Sequence, residues 1–232
     1  MRDETPRVRT LRFAVPDWPG HRAGQHVDVR LTAEDGYQVE RSYSIASPPE
    51  DPLLALTVER LEDGEVSPYL TQEVRPGDRL ELRGPIGGYF VWEPALRDPL
   101  LLLAGGSGIV PLMAILRQRA GGAQRCLARL LHSCRSPEEA IYREELEALA
   151  ADDPDLCVRH TFTRVQPAGW TGLRRRIDPP MLAEVAWPPA REPLAYICGP
   201  TGFVERAASA LAAQGHAPER IRTERFGPSG AA

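Results

Sequence analysis

The chain reads as two folds joined end to end, a small antiparallel β-barrel followed by a doubly wound α/β domain with a parallel sheet. Three observations carry this. The first hundred residues hold short apolar–polar alternations separated by Gly, Pro and Asp clusters, the pattern of brief half-buried strands. From Asp98 onward, continuous apolar runs alternate with segments of helical period. Between them, Glu93 to Pro99 breaks the apolar pattern with Pro, Arg and Asp, which places the division at 1–97 and 98–232.

Within the barrel region, His26 to Leu31 alternates strictly, and the TAEDGY segment after it carries an aspartate-glycine hairpin signal. Further strands are expected over Val39 to Ile45, Leu54 to Leu61 and Arg79 to Arg83. Ser67-Pro68 ahead of YLTQEV predicts a short helix with serine as cap and proline at its first position.

The second region opens with PLLLLAGG, an unbroken apolar run of the kind buried on both faces of a sheet. Ile109 to Ala120 places apolar residues at three- and four-residue intervals and predicts a helix. Strands then alternate with helices: strand Cys126 to His132, helix Pro137 to Ala150, strand Leu156 to Phe162, helix near Pro180 to Val185. Strand Leu194 to Cys198, helix Gly202 to Gln214 and strand Arg220 to Phe226 complete a parallel, doubly wound sheet.

Composition narrows the function. A hydrophobic content of 42% with 26% charged residues is ordinary for a soluble globular protein. The longest apolar run is far too short to cross a bilayer, and no signal peptide opens the chain, so a cytoplasmic location is expected with no membrane partner. A net charge of -4 without a basic stripe argues against nucleic acid. All 28 basic residues are arginine, which fits a codon bias better than a functional choice. The four cysteines, Cys126, Cys134, Cys157 and Cys198, show neither zinc nor iron–sulfur spacing. They are expected to be free thiols, three of them small core hydrophobes and only Cys198 in a context that suggests more.

Chemistry gathers in short words. Gly105-Gly106-Ser107-Gly108 ends an apolar strand and opens directly into a helix. Such a turn brings backbone N–H groups and a helix N-terminus against a pyrophosphate, because bare glycines allow the approach. Its spacing, G-x-G-x-x-P with Pro111 last, differs from the dinucleotide fingerprint, and alone the signal is weak. Cys198 ends a predicted inner strand, where open α/β sheets place their ligands.

Taken together, RSYSIAS, GEVSPYL, RGPIGG, GGSGIVP, CGPTGF and TERFGP resemble the ferredoxin–NADP reductase family over nearly the whole chain. The match is nearest to its bacterial FAD-binding branch, which serves ferredoxins and oxygenases. The resemblance implies FAD in the barrel, a nicotinamide dinucleotide in the α/β domain and hydride transfer where they meet. It implies that Arg41 binds the flavin pyrophosphate beside Ser42, that Tyr43 lies against the isoalloxazine ring and that the Ser44 hydroxyl bonds flavin N5. Thr57, Val58 and Glu59 match a second flavin-contact strand. Gly64, Val66 and Ser67 match a turn whose N–H groups hold phosphate. Cys198, with Gly199 and Pro200, would lie beside the nicotinamide, Phe226 would cover the ring face and Glu224 would polarise the site. Ser44, Cys198 and Glu224 are thus the candidate catalytic residues, with no nucleophile and no metal among them.

Arg135, Arg164 and Arg176 resemble the arginines that related reductases use for a 2′-phosphate, which favours NADPH and leaves NADH open. The expected acceptor is a small [2Fe–2S] ferredoxin or an oxygenase component, docked on a basic face for which Arg7, Arg9, Arg22 and Arg75 are candidates. The rivals are a reductase of free flavin or ferric chelates and a non-catalytic flavin-binding or redox-sensing subunit. Relatives carry a further strand before the segment matching Thr5 to Val15, so an exposed barrel edge, possible loss of the first strand and weaker FAD retention are part of the expectation.

Overall fold

A computed structural model describes residues 1–123 and 125–227. The antiparallel part contains β1 (Arg2–Thr5), β2 (Val8–Phe13), β3 (His26–Thr32), β4 (Gln38–Ser44), β5 (Leu54–Glu59) and β6 (Glu81–Ile86). They form two three-stranded sheets, ordered β1-β2-β5 and β4-β3-β6. A bridge between Ile45 and Leu56 joins the sheets at the end of β4, and both close on Leu11, Val27, Val29, Leu56, Val58 and Leu70. The alternation read at His26–Leu31 is the physical cause: Val27 and Val29 enter this core while His26 and Arg30 stay at its margin. The hairpin at Gly36 has φ +87, and Ala33 N–H donates to Tyr37 O at 2.8 Å.

Two expectations change here. The barrel edge at β2 is not bare, because β1 folds back on it antiparallel from Arg2↔Thr10 to Thr5↔Val8. The helix after Glu65 is α1 (Val66–Pro68), running on as a π-helical turn over Tyr69–Glu73. Ser67 therefore lies inside it and does not cap it; its Oγ accepts from the Leu61 N–H at 3.0 Å.

The parallel part contains β7 (Leu100–Gly105), α2 (Ile109–Gly121), β8 (Ala128–Cys134), α3 (Arg143–Asp152), β9 (Leu156–Phe162), α4 (Pro179–Val185), β10 (Leu194–Pro200), α5 (Thr201–Ala213) and β11 (Ile221–Phe226). Its five strands are all parallel and ordered β11-β10-β7-β8-β9. The order reverses between β7 and β10, and the crevice outside their carboxyl ends is where such sheets bind ligands. Helix α2 is apolar on nearly every side because it is enclosed: Ile109, Leu112, Met113 and Ile115 are fully buried in a cluster that also takes in Ala46, Ala55 and Phe90 of the antiparallel part.

The single helix expected over Pro137 to Ala150 is broken. A 3₁₀ turn covers Pro137–Glu139, and Tyr142 adopts φ +59 before α3 begins. Cys157 is exposed, in contrast to the three other thiols, since it lies on the outer strand β9.

Candidate functional site

The glycine turn after β7 is held by contact with the turn after β10. A Cβ on Gly108 would sit 2.6 Å from the Gly199 nitrogen and closer still to the Cys198 carbonyl. One on Gly105 would sit 2.9 Å from the Phe203 ring. Gly106 differs: it has φ +53, and nothing lies within 4 Å of where its Cβ would be. Glycine at 105 and 108 thus serves strand–helix packing, while at 106 it serves the left-handed backbone of the turn. His132, at the end of β8 and fully buried, donates Nε2–H to the Gly106 carbonyl at 3.0 Å. Burial, with His160 beside it, lowers its pKa to about 3, so it stays neutral. Sequence reading missed His132 as part of the turn; the signal available was a lone histidine ending an apolar strand.

Cys198, Gly199 and Pro200 at the end of β10 pair in register with Glu224, Arg225 and Phe226 of β11. Cys198 is fully buried, and burial, reinforced by Glu224, pushes its thiol well above the ordinary value. It is a neutral thiol and no nucleophile. Burial also raises the Glu224 carboxyl to about 7. Phe226 is partly buried against the central core. Pro228, the last residue of the ERFGP word, lies outside the described residues.

In the antiparallel part, β4 carries the RSYS word. Arg41 is exposed, donates to the Glu40 carbonyl at 2.8 Å and faces Glu65 at 3.7 Å, ahead of α1. Ser42 Oγ donates to Asp28 at 2.6 Å, and Arg83 holds the other oxygen of that carboxylate at 2.8 Å. Tyr43 packs on the barrel core, and burial raises its hydroxyl to about 12. Ser44 is buried. Gly64 gives its own N–H to Leu61 O at 3.0 Å, and the first residues of α1, Val66 and Ser67, are buried.

The residues of β5 stand apart from this group. Val58 is in the barrel core, and the Thr57 hydroxyl is taken up by Tyr142 and Thr10. Glu59 at the strand end is half-buried.

Arg135 and Arg164 meet where β8 and β9 end, because Arg164 N–H donates to Arg135 O at 2.9 Å. Both side chains are exposed, and Arg135 reaches Glu139 at 4.0 Å. Arg176, also exposed, lies on the segment that runs beside β9 through the Thr161–Leu173 bridge. Of the arginines that are candidates for a docking face, Arg9 is paired with Asp3 and Arg22 with Glu93, while Arg7 and Arg75 donate to main-chain carbonyls.

Eight buried side-chain polar atoms lack a partner among the described residues, and two of them fall in the motif words: Ser44 Oγ at the end of β4 and Glu224 Oε2 on β11. Buried polar groups are nearly always paired, so these two are free to bond a bound molecule. A flavin supplies both donors and acceptors along one ring edge, and the exposed guanidinium of Arg41 suits its pyrophosphate. No group of three or more metal-ligating side chains occurs among the described residues, and no described helix is long and apolar enough to cross a membrane.

The fold and site define a two-part flavoprotein oxidoreductase. Residues 3–91 match the oxidoreductase FAD-binding domain and residues 102–209 the oxidoreductase NAD-binding domain. The chain is 32% identical over 229 residues to the NADH-cytochrome b5 reductase 1 of Aspergillus fumigatus, covering 94% of this chain and 73% of that one. It is 34% identical over 231 residues to the glycine betaine monooxygenase reductase subunit of Chromohalobacter salexigens, covering 97% of this chain and 61% of that one. It therefore spans about three fifths of the length of that reductase subunit. Among solved structures, the FAD/NAD-binding domain of a Vibrio cholerae nitric oxide dioxygenase superposes with a TM-score of 0.86 at 27% identity, over 98% of this chain and 95% of that one. The chain belongs to the ferredoxin-reductase family of FAD- and NAD(P)H-binding oxidoreductases.

Proposed function

We propose that the protein is an NAD(P)H-dependent reductase that feeds electrons to a separate iron–sulfur carrier, a [2Fe–2S] ferredoxin or an oxygenase component. FAD, when bound, accepts hydride at N5 from a nicotinamide and releases the two electrons one at a time. The protein supplies placement and electrostatics. Arg41 and the first amides of α1 grip the pyrophosphate, with Arg41 exchanging Glu65 for phosphate oxygens. Tyr43 lies against the flavin, and Ser44 donates its unused proton to N5. The glycine turn of Gly105, Gly106, Ser107 and Gly108, with Pro111 in the following helix, receives the dinucleotide pyrophosphate. Cys198, Gly199 and Pro200 line the nicotinamide side, and Phe226 excludes water from the flavin face. Glu224, held half-protonated near neutrality, stands where charge changes during reduction.

The observation that supports this reading best is that two of the eight unpaired buried polar atoms among the described residues, Ser44 Oγ and Glu224 Oε2, lie in the motif words, one in each part of the molecule. For the nucleotide we propose NADPH, on the exposed arginines at 135, 164 and 176. The specific counter-observation is Glu139 beside Arg135, together with the NADH named for the cytochrome b5 reductases, which makes NADH the second reading. The test is anaerobic mixing of the FAD-loaded protein with each nucleotide in turn. Rapid bleaching of the flavin, faster with NADPH, is expected; a yellow protein that neither nucleotide bleaches is a binding subunit and not a reductase.

A further inference from the structure

A line of hydroxyls crosses between the two parts of the molecule. Tyr142 O–H donates to Thr57 Oγ1. Thr57 and Thr10 share a hydrogen bond of 2.7 Å, and Thr10 Oγ1 donates to the Glu4 carboxylate at 2.7 Å. A carboxylate only accepts, so the direction is settled: Tyr142 to Thr57 to Thr10 to Glu4, each hydroxyl donating once and accepting from the one before. The line is dry, with Tyr142 3%, Thr57 5% and Thr10 8% exposed. Burial, its largest cause, raises the Tyr142 hydroxyl to about 12, so it remains a donor at any working pH.

Tyr142 is held there at a cost. Its φ of +59 is left-handed, a conformation unfavourable for a residue with a side chain that persists only where the surroundings impose it. Those surroundings include Arg117, whose guanidinium lies 4.8 Å from the centre of the Tyr142 ring and pairs with both oxygens of Glu145 at 2.8 and 2.7 Å. The same guanidinium donates to the Ala46 carbonyl at 2.7 Å.

The two ends of this cluster are fastened to the segments that carry the ligand groups. Thr57 adjoins Leu56, which bridges to Ile45, the residue after Ser44. Ala46 follows directly. On the other side Arg117 belongs to α2, the helix that grows out of the glycine turn, about 12 Å along its axis from Ile109. We propose that Tyr142 is a positioning residue whose bond to Thr57, backed by Arg117 on Ala46, sets the separation and tilt at which the nicotinamide meets the flavin. This rests on the hydride-transfer reading above. It also explains why a residue of the parallel part interrupts its own helix to reach the antiparallel part.

The test uses FAD-loaded protein and three variants. Tyr142→Phe keeps the ring under Arg117 and removes only the hydroxyl; Thr57→Val removes the acceptor at constant shape; Thr57→Ser restores it. Tyr142→Phe and Thr57→Val are expected to keep FAD content and NADP⁺ dissociation constant within about twofold of wild type. At saturating NADPH their bleaching should slow about tenfold, the scale on which small misplacements act, with weaker nicotinamide–flavin charge-transfer absorbance beforehand. Thr57→Ser should behave as wild type, and the Tyr142→Phe/Thr57→Val double variant should be no slower than either single one. Independently of turnover, amide hydrogen exchange over 55–59 should quicken in Tyr142→Phe before any nucleotide is added. Bleaching and charge-transfer absorbance unchanged in both Tyr142→Phe and Thr57→Val, even with a lowered melting temperature, would reduce the line to a structural contact and overturn the proposal. Wild-type protein that binds FAD and is not bleached would instead bring down the functional reading and this inference with it.

Discussion

In the parallel part of the molecule the glycine turn after β7 is held by close packing, whereas in the antiparallel part the motif residues of β4 act through their side chains. Gly105 and Gly108 are fitted against Phe203 and the Cys198–Gly199 peptide, and His132 pins the Gly106 carbonyl. Arg41 rests on Glu65, Ser42 on Asp28, and Ser44 on nothing at all. A turn packed this way tolerates no added atom at Gly105 or Gly108, although Gly106 has room for one. A side-chain site exchanges partners as the ligand enters, so its losses fall on binding and rate more than on folding.

The sharpest way to break the contrast is Gly108→Ala. With its Cβ forced into the Cys198 carbonyl and the Gly199 nitrogen, β10 and α2 must separate, at a cost of about 4 kcal/mol, read from denaturant unfolding. Gly106→Ala has open space and suffers only from its φ of +53, a cost of about 1 kcal/mol. Equal losses in the two variants would mean that packing is not what requires glycine at 108.

Glu224 gives the next largest effect, and its sign is unusual for a carboxylate. Burial raises its folded pKa from 4.5 to about 7. Between those values the folded protein holds the proton more tightly than the unfolded chain, so stability falls as pH rises through the interval and levels off above it. The fall has an upper limit of about 3 kcal/mol for a shift of this size. In FAD-free protein, Glu224→Gln should flatten that part of the stability profile, measured by urea unfolding at pH 4.5, 5.5, 6.5 and 7.5. A Gln variant with the same slope as wild type would assign the pH dependence to other groups.

The contrast also separates what could be read from the sequence from what could not. The parallel sheet and both turns were legible because GGSG and CGP break two unbroken apolar runs. The RSYS word was legible as part of a strand in the barrel region. By contrast, Tyr142 was invisible: helix periodicity runs straight through it, and its left-handed backbone is imposed by Thr57, distant in sequence. Thr57 was expected at the flavin because its strand matched, and its hydroxyl bonds Tyr142 and Thr10, neighbours that no local pattern points to. Ser67 looked like a cap because serine before proline so often is one, yet the helix starts at Val66, two residues before Pro68, and the hydroxyl turns back to Leu61.

Ser44→Ala tests the side-chain half of the comparison directly. Removing a hydroxyl that no protein atom uses should leave folding unchanged within about 0.5 kcal/mol. FAD should still bind, and flavin bleaching by NADPH in stopped flow should slow about tenfold, the size expected for one donor at the reacting edge. Unchanged bleaching would remove the proposed bond to N5.

Arg135→Ala should show the smallest effect, because this arginine is exposed and loosely held, 4.0 Å from Glu139. An exposed cation facing a phosphate through water contributes about 1 kcal/mol, so NADPH binding should weaken about fivefold while NADH binding barely changes. The loss should shrink with added salt, since nothing screens this charge from solvent. Equal losses for the two nucleotides would show that Arg135 holds a part of the dinucleotide common to both. A gain in NADH affinity would favour the second reading, in which Glu139, released from Arg135, accepts from the ribose hydroxyls and the protein works with NADH.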